Sequence, residues 1–398
     1  MIGEVIFLFA IALACLYCLV LAVLFLGLFK LKKDAKVRTH KHPFVSVVVA
    51  ARNEEEILAH CLSSLLSQVY PEELYEVILI DVNSTDNTLS IARSFAERHG
   101  RLRVLSAAEY NSLTGKQNAL DMGIQASKGE IIVTTDADCQ APPGWIGDIV
   151  GEFKPEVGLI AGFSILSEEG ISDVGMLQRI FIKLQSLETL SLYIGSIGSI
   201  AQGFAWAGTG NNMAYRREIY DELGGFGALG VTGAEDSMLL QWVDRNSKWK
   251  VKPTANTVYV KPMGTISQYL AQRNRWASSA LQNRLSLIAF MVIVYGLNLL
   301  LPFLIVLCAF SVISYRELIL FLCLKTVPEF LILLKGLALF NRMDLMKYFL
   351  LVQPFHVIYV LICGIHGLSK GFVWKGRRYR EGKEQDIRYK TQDTRYKV

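Results

Sequence analysis

Asp136-Ala137-Asp138 places two carboxylates one residue apart, directly after the β-branched run Ile131–Thr135. A strand ending there would aim both to one side as it enters a loop. Two carboxylates suit a hard cation, Mg2+ or Mn2+, that leaves most of its coordination sphere for a diphosphate. Alone, the same spacing also serves a solvated turn. Asp81 closes a second run, Val77–Asp81, ahead of the turn-rich Asn83-Ser84-Thr85-Asp86-Asn87-Thr88. Helix capping explains Thr85 or Asp86 but does not require Asp81, whose carboxylate is placed to accept hydrogen bonds from a ribose or base. Glu235 and Asp236 leave a glycine-bearing stretch and open the apolar helix Met238–Val243. They read as acids favoured by a helix dipole or as a general base for an acceptor hydroxyl. The turn Gly208-Thr209-Gly210-Asn211-Asn212 offers close backbone approach to a sugar or phosphate. In Gln272-Arg273-Asn274-Arg275-Trp276, Gln272 and Arg275 share a helical face, setting a guanidinium for a diphosphate beside an indole for a sugar. The competing reading is a tryptophan and an arginine that meet only lipid.

Other chemistries are excluded by what the sequence lacks. The six histidines leave none between residues 100 and 355, which argues against a histidine-served serine or cysteine nucleophile in the central region. No dinucleotide fingerprint follows the first strand, and no P-loop occurs. A net charge of +5, with basic residues beside hydrophobic runs instead of in an aromatic-interleaved patch, argues against nucleic acid.

The elements that must position these residues alternate. Val45–Ala50, Val77–Asp81, Arg103–Ser106 and Ile131–Thr135 read as strands, with helices over Glu55–Gln68, Thr88–His99 and Gly115–Gln125. That order predicts an α/β domain with a parallel sheet, whose ligands sit beyond the carboxyl ends of the strands.

Hydrophobic residues make up 52% of the 398 and charged residues 19%. The apolar excess is concentrated in Val5–Phe29, Leu287–Ile313, Leu318–Phe340 and Tyr348–Ile365, each long enough for the roughly 30 Å hydrocarbon core. Lys30, Lys32, Lys33, Lys36, Arg38 and Lys41 follow the first run, predicting an uncleaved anchor with residue 43 onward in the cytoplasm. The expected organisation is an anchor and basic flank (1–42), a cytoplasmic catalytic domain (43–263), an amphipathic interface helix (264–286), transmembrane or re-entrant helices (287–369) and a basic tail (370–398). Residues 171–204 are expected to form a further amphipathic or domain-covering helix. Three later crossings would put the tail outside, yet its ten Lys and Arg against four acids favour the inside. One later run must then be re-entrant or interfacial, or the crossings must be even in number. Five of the seven cysteines lie in apolar runs, and Cys15-x-x-Cys18 has no second ligand pair, so neither a disulfide framework nor a metal site is implied.

Together the motifs resemble the membrane-embedded inverting glycosyltransferases of family 2. The resemblance runs from about Val45 to Trp276 through Val45–Glu55, Asp81, Gly115–Leu120, Asp136-Ala137-Asp138, Glu235-Asp236 and Gln272-x-x-Arg275-Trp276. It implies a GT-A fold with a mixed, largely parallel sheet plus N- and C-terminal transmembrane helices. A UDP-sugar of glucose or N-acetylglucosamine type would be bound by Ala51, Glu54, Asp81, Lys116, Asp136, Ala137, Asp138 and Arg275. Asp136 and Asp138 would hold Mg2+ or Mn2+, and Asp236 would be the base. Glu235, Gln272, Trp276, Gly210 and Asn211 would face a polysaccharide or lipid acceptor in a multi-pass protein of the plasma membrane. Ala234 stands where processive members frequently carry threonine.

Overall fold

The computed structural model describes residues 2–31, 42–107, 115–230 and 232–369, with short strands at 372–374, 377–380 and 383–385. The basic flank after Leu31 and most of the basic tail, named above as topology signals, lie outside the described residues.

In chain order, helix α1 (Ile2–Lys30) opens the chain. There follow β1 (Val45–Ala51), α2 (Leu58–Leu66), β2 (Tyr75–Asp81), α3 (Thr88–Arg98), β3 (Leu102–Ser106), α4 (Gly115–Ala126), β4 (Ile131–Asp136), β5 (Cys139–Gln140), α5 (Trp145–Val150) and β6 (Val157–Leu166). Then come α6 (Met176–Ala201), β7 (Met213–Arg216), α7 (Arg217–Leu223), α8 (Glu235–Asn246) and β8 (Lys250–Val260). Helices α9 (Ile266–Ser278), α10 (Leu285–Ala309), α11 (Tyr315–Leu339) and α12 (Phe349–Ser369) complete the helical set. The chain divides into a helical unit (Met1–Lys32, Glu169–Trp206, Gly264–Lys370) and a sheet unit (Lys33–Glu168, Ala207–Met263, Gly371–Val398).

The sheet unit is an eight-stranded mixed sheet of order β3-β2-β1-β4-β7-β6-β8-β5. β1 pairs in parallel with β2 and β4, and β2 with β3, as strand–helix alternation predicts. β7 then enters antiparallel between β4 and β6, which makes the sheet mixed. Val45, Val47 and Val49 on one face of β1 pack with Val77, Leu79, Val133, Leu62 and Trp145 into one buried core. Central strands covered on both faces need unbroken apolar runs, which is why these were legible.

In the helical unit α1 packs against α6, α10 and α11, and α12 against α9. Residues Glu169–Trp206, expected inside the catalytic domain, group with the helices because α6 buries Leu187, Leu190, Ile194 and Ile197 there. At Gly198 an added Cβ would stand 2.6 Å from the Leu24 carbonyl oxygen of α1, a backbone approach that small residues allow between helices. Among the described residues, Gly3–Lys30, Leu285–Ala309 and Met343–His366 are long and apolar enough to cross a membrane. α11 is as long as α10 but carries Lys325, Glu329 and Lys335. The interface helix expected over 264–286 is instead broken. Ser278 Oγ donates to the Arg275 carbonyl, and Asn283 Nδ2 donates at 3.1 Å to the carbonyls of Ser279 and Ala280, so α9 ends at Ser278 and α10 starts afresh.

Candidate functional site

The site builds from the carboxyl ends of three adjacent parallel strands. Ala51 pairs with Asp81, and Ala50 with Asp136, so β1, β2 and β4 deliver these residues to one edge. Beyond that edge the β1–α2 and β2–α3 loops are knitted together. Asn53 and Asn83 both adopt left-handed backbone (φ 51° each), where asparagine is better tolerated than most side chains. Asn53 Oδ1 accepts from Thr85 N at 2.9 Å, Glu54 N donates to Thr88 Oγ1 at 2.8 Å, and Glu55 Oε2 accepts from Asn87 N at 2.9 Å. Asp81 is 3% exposed. Its Oδ2 accepts from Ser84 N at 3.2 Å, while buried Oδ1 has no hydrogen-bond partner. A buried carboxylate oxygen left open is an acceptor waiting for a donor.

Across the edge stands Lys116, in the first turn of α4. Its Nζ lies 2.5 Å from Asp136 Oδ1 and 3.8 Å from Glu235 Oε1. Burial pushes the Lys116 ammonium toward neutrality, but the surrounding Asp136, Glu235 and Asp236 outweigh it and hold its pKa well above the usual lysine range. Glu235 goes the other way: burial raises its carboxyl pKa, and Lys116 only partly opposes this. Asp236 is fixed by backbone donors, its Oδ2 accepting from Gly210 N at 2.7 Å and Oδ1 from Ser237 N at 2.6 Å. A Cβ added to Gly210 would sit 3.4 Å from both Asp236 Oδ2 and Lys116 Nζ, so backbone, base candidate and cation converge there. Thr135 Oγ1 donates to the Asn211 carbonyl at 2.9 Å, tying this turn to β4.

Ala137 is buried and Asp138 half-buried in the turn after β4, where the Cys139 thiol donates to Asp138 Oδ1 at 3.7 Å. Among the described residues no three ligating side chains cluster. The donor set is thus two carboxylates, which fits a hard divalent cation that takes its remaining ligands from a diphosphate and water.

The sheet unit therefore gathers Ala51, Glu54, Asp81, Lys116, Asp136, Ala137, Asp138, Gly210, Asn211, Glu235 and Asp236. Gln272, Arg275 and Trp276 belong to α9 in the helical unit. Two supports, Gln117 within the Gly115–Leu120 segment and Asp121 just beyond it, carried no assigned role in the sequence. Gln117 Nε2 donates to the carbonyls of Phe226 (3.1 Å) and Gly230 (2.8 Å), and its Oε1 accepts from Thr232 N, holding the loop that leads to α8. Asp121 Oδ1 accepts from Tyr220 OH and Phe226 N. Gln117 lies two residues and Asp121 six residues along α4 from Gly115, and the polar side chains of this helix were the available signal.

Residues 46–224 match the family described as Glycosyl transferase family 2. The chain carries a family 2 glycosyltransferase domain. It is 30% identical over 247 residues to the beta-monoglucosyldiacylglycerol synthase of Nostoc sp., covering 61% of this chain and 50% of that protein. It is 26% identical over 242 residues to the poly-beta-1,6-N-acetyl-D-glucosamine synthase of Staphylococcus epidermidis, covering 58% and 53%. The chain thus spans about half the length of these curated relatives. In fold it resembles the mannosyltransferase PcManGT of Pyrobaculum calidifontis, solved in complex with GDP-Man and Mn2+. The TM-score is 0.58 at 21% identity over 90% of this chain and 99% of that one. The chain accordingly has a GT-A-like mixed sheet together with apolar helices.

Proposed function

We propose that the protein is a membrane-bound, inverting glycosyltransferase that moves a sugar from a UDP-sugar to a membrane-resident acceptor, either a lipid or a growing β-linked polysaccharide. The observation that carries this is the convergence of Asp236, Gly210, Lys116 and Asp136 at the same sheet edge as the open carboxylate oxygen of Asp81. Asp81 Oδ1 would accept from the nucleoside, and Lys116 would swing its ammonium from Asp136 toward the diphosphate. Asp136 and Asp138 would hold Mg2+ or Mn2+, which when bound supplies positive charge against the leaving diphosphate. Asp236 accepts the proton of the acceptor hydroxyl as that oxygen bonds the anomeric carbon. The bond from that carbon to the phosphate oxygen breaks on the opposite side, and the nucleoside diphosphate departs with the bonding pair. One displacement inverts the anomeric centre. Gln272, Arg275 and Trp276 of α9 would meet the diphosphate and acceptor, with Glu235, Gly210 and Asn211 on the acceptor side.

The relative with the higher identity acts on a lipid, which favours a diacylglycerol-type acceptor, while the Gln272-x-x-Arg275-Trp276 motif favours a polymer. The sheet unit would face the cytoplasm, as the basic residues that follow the first apolar run predict. Product analysis decides among these: purified protein in diacylglycerol-containing vesicles, supplied with UDP-glucose or UDP-N-acetylglucosamine and Mg2+ or Mn2+. One lipid-soluble glycoside is the expected product, and a size ladder would establish polymerisation instead. If no sugar transfers from either donor, the proposed reaction is wrong.

A further inference from the structure

In α9 a buried arginine lies between the motif positions. Arg273 is 4% exposed, and on α6 it meets Glu188, which is 1% exposed. Arg273 Nε approaches Glu188 Oε1 at 3.2 Å and Oε2 at 3.1 Å, Nη2 pairs with Oε2, and Nη2 also donates to Thr189 Oγ1 at 2.8 Å. From α12, Tyr359 OH donates to Glu188 Oε1 at 2.8 Å. The remaining arm turns back on the motif: Nη1 donates to Gln272 Oε1 at 2.6 Å. The guanidinium carbon also lies 4.1 Å from the centre of the Trp276 ring and 4.6 Å from that of Tyr269. A guanidinium only donates, so the Gln272 atom facing it must be the amide oxygen. The N–H2 group of Gln272 is what remains for a ligand.

We infer that Arg273 is a positioning residue, through which α6 and α12 set the geometry of Gln272 and Trp276, and that Gln272 reads a hydrogen-bond acceptor oxygen of the substrate. The ion pair is buried and bidentate, so its fork fixes direction as well as distance, and a lysine cannot replace it. The inference rests on the reading that α9 meets substrate, but its first test does not depend on turnover.

Hydrogen exchange over residues 266–278 of the full chain in lipid nanodiscs is that test. In Arg273→Lys one ammonium cannot serve Glu188, Thr189 and Gln272 together, so exchange in α9 is expected to accelerate about tenfold or more, with β1 and β4 unchanged. Tyr359→Phe, a milder change, should move α9 in the same direction. Wild-type exchange in Arg273→Lys overturns the positioning role, whatever the reaction proves to be. With UDP-glucose as donor, Arg273→Lys should lower kcat/KM for the acceptor about tenfold while donor affinity stays within about twofold. Gln272→Glu keeps the oxygen that Arg273 uses and removes both N–H donors. It should exchange like wild type in α9 yet transfer as poorly as Gln272→Met, and wild-type transfer would overturn the reading of Gln272. Arg273→Lys should cost less in the Gln272→Met background than in the wild type, the remainder being its hold on Trp276, and fully additive losses would show that Arg273 does not act through Gln272. A wild type that binds no UDP-sugar sinks the proposed reaction instead, and leaves the exchange result standing.

Discussion

At Asp236 each carboxylate oxygen already accepts one backbone N–H, which fixes the group's orientation and leaves its remaining lone pairs for a hydroxyl proton. Asp236→Asn keeps the size of the side chain and removes the basicity. Transfer is expected to fall about 10²- to 10⁴-fold, with UDP-sugar binding by calorimetry unchanged; transfer at the wild-type rate would exclude Asp236 as the base. Glu235 permits a test on stability. Its folded-state pKa is raised, chiefly by burial, so the folded chain holds this proton where the unfolded chain has lost it. Stability therefore falls as pH climbs from the ordinary glutamate value to the raised one, and stays lower above it. Glu235→Gln removes that loss, because Lys116 still has Asp136. Its Tm should exceed that of wild type at neutral pH, with the gap closing in acid, while transfer declines. A lower Tm for the variant at neutral pH would mean that the pairing with Lys116 outweighs the burial cost.

The elements hold these residues through contacts that pattern alone does not reveal. β6 and β7 meet where Asn212 Nδ2 donates to the Phe163 carbonyl at 2.8 Å and Asn212 Oδ1 accepts from Trp145 Nε1 at 2.9 Å. A Cβ added at Gly162 would stand 2.5 Å from the Asn212 side chain and 2.6 Å from its carbonyl oxygen. Gly162→Ala must push the 208–212 turn away from β6 and with it the amide of Gly210. Overpacking of this kind costs about 1–3 kcal/mol, so a lower Tm together with reduced transfer is expected, and a variant unchanged in both would show the turn to be free to shift. β1, β2 and β4 were legible in the sequence as largely apolar, β-branched runs, and the acids that mattered, Asp81 and Asp136, close β2 and β4. β8 was not, since Lys250, Lys252, Pro253 and Asn256 interrupt it and its place beside β6 depends on tertiary pairing. Arg273 was hidden for a similar reason. Its partner Glu188 lies 85 residues away and reads in sequence as one of a few scattered charges on an apolar helix.

Within the helical unit, contacts along α1 fix the direction of its neighbours. Gly3 lies against Val312 and Gly296 against Leu13, so α10 runs antiparallel to α1. Cys18 donates to the Leu324 carbonyl, Tyr17 to Glu329, and Lys335 lies over Phe29, so α11 runs parallel to it. The charges of α11 are neutralised there: Lys325 donates to Glu329 and Gln353, and Gln353 and Tyr17 donate to Glu329, a closed network suited to an apolar surrounding. α12 meets both of these helices, Phe349 lying against Phe330 of α11 and Gly364 against Tyr295 of α10, and it packs on α9 and α6. Its run Met343–His366 is also long and apolar enough to cross. Were α1, α10 and α11 the crossings, the chain would return to the side of residue 43, where the positive-inside rule would keep the ten basic residues of 370–398. In a cysteine-free background, Val312→Cys should react with a membrane-impermeant maleimide on intact cells, and Thr391→Cys only after permeabilisation. Labelling of Thr391→Cys from outside would make α12 a fourth crossing and put the ten basic residues of the tail on the far side.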